Sequence, residues 1–92
     1  MTEIDDALKN IREAREMLEP LRSYGSDVTD SIDDLNAIEE LLKNPTSTNL
    51  EAALKRFEVL MDRAGPYESF IPEIIDKGKV AIEKITKAKE KL

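Results

Sequence analysis

TNLEAALKRFEVLMDRAGP, residues 48–66, is the stretch that decides the fold. Leu50, Ala53, Leu54, Phe57, Leu60, Met61 and Ala64 recur at helical spacing, which places them on one face of a helix. Thr48 and Glu51 sit three apart at its start, the pattern of a capping box in which each side chain satisfies a backbone N–H of the first turn. Gly65-Pro66 closes it, since proline cannot continue a helix. This apolar stripe has no partner within its own segment, so other helices must cover it.

Working outward, the same periodicity appears three more times. Residues 3–22 carry Ile4, Ala7, Leu8, Ile11, Ala14, Leu18 and Leu21 in one arc, ended by Tyr24-Gly25. Residues 27–43 carry Val28, Ile32, Leu35, Ile38 and Leu42, ended by Asn44-Pro45, with asparagine suited to a left-handed cap. Residues 69–92 carry Phe70, Ile71, Ile74, Ile75, Ala81, Ile82, Ile85, Ala88 and Leu92, with Ser69 as the expected N-cap and Pro72 in the first turn. Helices over about 3–22, 27–43, 48–64 and 69–92 therefore make one domain spanning residues 1–92. Shifting the chain by one hairpin superposes Ala7 on Leu50, Ile11 on Leu54 and Ile32 on Ile75. The expected fold is an all-α up-and-down four-helix bundle of two hairpins, the alternative being a three-helix or open arrangement. Gly78 falls inside the last stripe, where close approach by a large neighbouring side chain is the expected reason for a glycine, a hinge being the other reading.

Charge is unevenly distributed. Ser23 to Leu42 carries six acidic and no basic side chains, whereas Lys77 to Leu92 carries six lysines and two glutamates. On the second helix Asp27, Asp30 and Asp34 form an acidic stripe; on the fourth, Lys77, Lys84, Lys87 and Lys91 form a basic one. In an up-and-down bundle helices 2 and 4 are diagonal, so these faces point in opposite directions and cannot neutralise each other; an adjacent placement, which the sequence leaves open, would remove that argument. Charged faces are ordinarily just solvated, but this pair also suits salt-sensitive association with another protein or with a second copy. Leu41, Val59 and Val80 lie off their stripes as possible contact points. Tyr24, Tyr67 and Phe70 fall at one pole, expected to plug the end of the core, with service as interface anchors the second reading.

The function classes narrow quickly. The chain has no His, Cys or Trp and a net charge of −6. No nucleophile–base pair, metal-ligand motif or glycine-rich phosphate loop is present, so an enzyme, a cofactor and a metal site are not expected. The acidic balance opposes direct binding to nucleic acid or to an anionic membrane. No apolar run is long enough to span a bilayer and no signal-peptide pattern opens the chain, which makes the cytoplasm the expected location. The expected function is a small acidic, non-enzymatic protein–protein interaction module, an adaptor, assembly subunit or regulator. Its candidate contact residues are Asp27, Asp30, Asp34, Leu41, Lys77, Val80, Lys84, Lys87, Lys91, Tyr24 and Tyr67. The alternative is an acidic nucleic-acid mimic that occupies a DNA- or RNA-binding protein.

Overall fold

The computed structural model describes residues 2–92. Four helices follow in order: α1 (Glu3–Leu18), α2 (Ser26–Leu42), α3 (Ser47–Ala64) and α4 (Pro72–Glu90). A 3₁₀ segment, Glu19–Tyr24, joins the first two, and a shorter one, Gly65–Tyr67, follows α3. The helices pack as a ring in which α1 meets α2 and α4, and α3 meets α2 and α4. On the diagonals, α1 with α3 and α2 with α4, the backbones do not approach closely among the described residues, and only side chains meet at the centre. The result is a four-helix bundle measuring 39 × 19 × 19 Å.

Helix ends follow local chemistry more closely than the apolar pattern alone suggests. Thr2 caps α1, accepting from the Asp5 N–H at 3.1 Å while the Asp5 carboxylate accepts from Thr2 N–H. This is a capping box the sequence reading passed over. The expected helix to residue 22 stops at Leu18 because Pro20 has no N–H to donate and crowds the carbonyl one turn back. The chain tightens into 3₁₀ geometry instead. Gly25 then turns it into α2 with φ 132° and ψ −172°, a region open essentially to glycine alone.

Two N-caps move as well. Thr46, not Thr48, caps α3 by accepting from the Asn49 N–H at 3.1 Å. The Asn49 side chain also donates to the Asn44 carbonyl at 2.8 Å, so the turn itself selects the earlier threonine. Asn44 does not adopt the expected left-handed cap, since no described residue other than glycine has positive φ. Helix α4 starts at Pro72 rather than Ser69. Ile71 precedes a proline and is held out of helical geometry at φ −133° and ψ 48°, which leaves Pro72 as the first helical residue.

Four buried positions along each helix fill the centre, with Ala64 buried beyond them at the end of α3. The central positions are Ala7, Ile11, Ala14 and Leu18 from α1; Ile32, Leu35, Ile38 and Leu42 from α2; Leu50, Ala53, Phe57 and Leu60 from α3; and Ile75, Gly78, Ala81 and Ile85 from α4. Phe57 is the largest of the fully buried side chains. Two expected members fall outside this core: Phe70 and Leu92 are exposed, because neither belongs to the helix whose stripe was extended over them.

Gly78 is a packing glycine. A Cβ built there would lie 3.1 Å from Met61 Sδ of α3. The sulfur belongs to a flexible, half-buried side chain beside a cavity of about 20 Å³ lined by Ala14, Leu18, Phe57 and Met61. The methionine can therefore yield by a few tenths of an ångström. We expect Gly78→Ala to raise the urea midpoint, corresponding to about 0.5–1 kcal/mol from helix propensity. Gly78→Leu should lower it by overfilling the same seam. A loss of stability in the alanine variant would mean that Met61 is held rigidly.

Candidate functional site

The charged side chains flank the apolar stripes, and in a closed ring that position faces the neighbouring helix. Lys77 donates to Glu13 Oε1 at 3.3 Å, Lys84 Nζ lies 3.6 Å from Asp6 Oδ2, and Lys91 pairs with Glu3. Three of the four stripe lysines thus line the α1–α4 seam, and Lys87 pairs with Glu83 one turn back on its own helix. The expected outward basic face is corrected accordingly. Helices α2 and α4 are diagonal, the condition on which that expectation rested, but three of the lysines are neutralised by α1 and Lys87 by Glu83.

The acidic stripe divides in the same way. Asp34 is buried, accepting from Arg63 Nη1 at 2.7 Å with Arg56 at 3.5 Å, both from α3. Glu39, next to the α2 stripe, is covered and accepts from Arg15 at 2.5 Å and Arg12 at 2.7 Å, both from α1. Arg15 also donates to Asn36 Oδ1 at 2.8 Å. Asp30 remains exposed, and Asp27 accepts from the Tyr67 hydroxyl. Among the off-stripe apolar residues, Leu41 is packed against the core, whereas Val59 and Val80 are exposed.

The hydrogen bonds and ion pairs set the protonation behaviour of these groups. Hydrogen bonding from Arg15 holds the Glu39 carboxyl below its ordinary range, reinforced by Arg12 against the opposing effect of burial. Asp34 raises the Arg63 guanidinium further. Asp27 pushes the Tyr67 phenol up, because its carboxylate stabilises the protonated hydroxyl. Among the described residues no group of three or more carboxylates is placed to hold a metal ion, and no helix is long and apolar enough to cross a membrane. A cleft of about 180 Å³ at the end carrying the α2–α3 turn is lined by Ile4, Leu50, Ala88 and Leu92, with the Glu3–Lys91 pair at its rim.

The opposite pole carries the surface that stands out. Tyr24 is 80% exposed, Phe70 81% and Tyr67 43%. Such exposure does not fit the expected plug, whereas Leu18, Leu60 and Ala64 at the last turns of α1 and α3 are buried. The Tyr67–Asp27 hydrogen bond joins the α3–α4 connection to the first turn of α2, so both connections share this pole. Taking the two connections with the seven nearest residues of each helix, residues 12–32 and 58–78, ten carboxylates face five cations. That is a net −5 of the chain's −6. All five cations are in ion pairs, with Arg12 and Arg15 on Glu39, Arg22 on Glu19, Arg63 on Asp34 and Lys77 on Glu13. Lys79, one residue further along, lies 3.8 Å from Glu68.

Two consequences can be measured. Glu39 is more acidic folded than unfolded, so its contribution is fully present above the ordinary carboxylate pKa of about 4.3 and is lost as pH falls through the lower folded value. Glu39→Gln should therefore cost about 1–2 kcal/mol at neutral pH. In urea titrations the gap to wild type should close as pH drops below the carboxylate range; a constant gap would assign the loss to packing. Ultraviolet titration should find one tyrosine ionising above the ordinary value of about 10, and Asp27→Asn should bring it down. An unshifted tyrosine would remove the Tyr67–Asp27 tie.

Comparison with protein-family models, curated proteins and solved structures yields no match, so any functional reading rests on this surface chemistry.

Proposed function

We propose that this chain is a small non-enzymatic interaction module, an adaptor, assembly subunit or regulator working in the cytoplasm, and that it associates through its aromatic pole. The observation that carries the reading is the exposure of Tyr24 and Phe70, 80% and 81%, at the end where carboxylates most outnumber cations. Aromatic side chains bring large contact area at small entropic cost and are over-represented among the residues that dominate binding energy. The lysine and aspartate stripes give this reading less support than their sequence pattern suggests. Their members mostly serve interhelical ion pairs, and rupture of those pairs would act on the fold before any partner.

The nucleic-acid-mimic reading rests on the outer acids of α2. Two of the six, Asp34 and Glu39, are covered and neutralised by arginines, which breaks the row a mimic would present. Asp30 and Asp33 remain exposed to support it.

Tyr24→Ser with Phe70→Ser should leave helicity and stability within about 0.5 kcal/mol of wild type, since both side chains face solvent. Used as bait in source-cell lysate, that variant should lose the proteins that the wild-type chain retains. An unchanged set of captured proteins would overturn the aromatic pole as the contact surface. Selective loss of nucleic-acid-binding proteins on Asp30→Asn with Asp33→Asn would favour the mimic instead.

A further inference from the structure

We propose that the aromatic pole receives a cationic amphipathic segment of a partner protein, one that sets Lys or Arg side chains beside apolar ones. The proposal rests on the interaction-module reading above and specifies the chemistry of its partner.

Three observations converge on that occupant. The first is apolar: Tyr24, Tyr67 and Phe70 expose ring surface at one end, which a partner's apolar side chains can cover. The second is electrostatic. In the same half of the bundle, residues 12–32 and 58–78, Glu16, Asp30, Glu58, Asp62, Glu73 and Asp76 have no ion-pair partner among the described residues, while every cation of that zone is engaged. A bound segment therefore meets a negative field that no local lysine or arginine can cancel. Carboxylates attract its cations, and open aromatic faces attract them too. The third is order: the Tyr67 hydroxyl is tied to Asp27, which fixes that ring before anything binds and lowers the entropic cost of contact.

The same charge disfavours the other occupants. A two-fold dimer would set this pole against its own copy, −5 against −5. A head-to-tail contact finds no concentrated basic patch at the far end. There Lys43, Lys87 and Lys91 are paired with Glu40, Glu83 and Glu3, and Lys89 alone in the C-terminal turns has no ion pair among the described residues. Nucleic acid and anionic bilayers are repelled for the same reason.

The test uses the full chain, isotopically labelled, and a designed helical peptide with lysines on one face and leucines on the other. A counterpart with glutamate for each lysine serves as control. Two-dimensional NMR should show amide shifts confined to the two connections, residues 19–28 and 65–73, for the lysine peptide only. Binding should weaken on adding salt, because the charges are exposed. Tyr24→Ser with Phe70→Ser should weaken it roughly tenfold or more, as loss of interface anchors does. Asp30→Asn with Glu73→Gln should weaken it without touching the rings, and the spectra themselves report that each variant is folded.

Equal binding of the glutamate peptide, shifts spread over the helix faces, or no effect of the aromatic variant would overturn the proposal. So would pole shifts that depend on protein concentration alone, which would assign the surface to a second copy. If the lysine peptide fails while the lysate capture still depends on Tyr24 and Phe70, the interaction-module reading stands and only the cationic partner falls. If capture is also indifferent to the aromatic variant, both fall.

Discussion

Closure of the ring depends on the seam between α1 and α4, the two helices farthest apart in the chain. Either hairpin alone would leave an apolar stripe facing water, so the core exists only once this seam forms. Small residues lie along the approach, Ala7 and Ala14 on one side and Ala81 on the other, all fully covered, while Gly78 makes the corresponding room for Met61 of α3. Outside that seam Lys77, Lys84 and Lys91 recur every seven residues and reach Glu13, Asp6 and Glu3 in antiparallel order. Half-exposed pairs of this kind contribute little each, roughly 0–1 kcal/mol. Their value lies in register, because sliding or reversing α1 on α4 would move the lysines off Glu13, Asp6 and Glu3 and leave both signs unmatched.

That use of charge determines what remains for the outside. The arginines of α1 and α3 turn towards Glu39 and Asp34, and the lysines of α4 towards α1, so cations are drawn into the seams. Carboxylates outnumber them, and the surplus collects where the helices end. Proline chemistry acts at the same place. Pro20, Pro66 and Pro72 interrupt helical geometry on both connections, which drops Tyr24, Tyr67 and Phe70 out of the stripes they would otherwise extend. An acidic, aromatic end is thus the joint product of seam pairing and early helix termination.

This explains which parts of the molecule were legible in the sequence. The four stripes were, since burial enforces their period and positions such as Ile11, Ile38, Phe57 and Ile85 recur without exception. The placement of α2 and α4 on a diagonal was not, because the apolar stripes are the same whether these helices are diagonal or adjacent. The partners of the charged residues were not, because a lysine beside a stripe looks alike whether it faces solvent or a neighbouring helix. The one available signal was the seven-residue step from Lys77 to Lys84, which the acids Glu13 and Asp6 of α1 repeat in reverse. Phe70 was misassigned for a local reason: the restriction that Pro72 places on Ile71 outweighs an apolar pattern that would run straight through. The choice between Thr46 and Thr48 turned on a side-chain hydrogen bond from Asn49 that no spacing rule encodes.

The aromatic residues are what the packing leaves over. Sixteen central positions, filled by Ile, Leu, Ala, one Phe and one Gly, close the bundle without Tyr24, Tyr67 or Phe70. Were the pole merely the end of a core, polar side chains would terminate the helices equally well and would not leave phenyl and phenol rings in water. A plug would be covered, and a random surface position would not pair a fixed tyrosine hydroxyl with a carboxylate one connection away. Exposed apolar area carries a liability in any soluble protein, since it invites unselective association. The surplus of carboxylates around these rings restrains that tendency by repelling copies of the same chain. In the proposed contact, apolar anchors inside a field of one sign would exclude most partners and admit those of the opposite sign, a route to specificity for a surface this small.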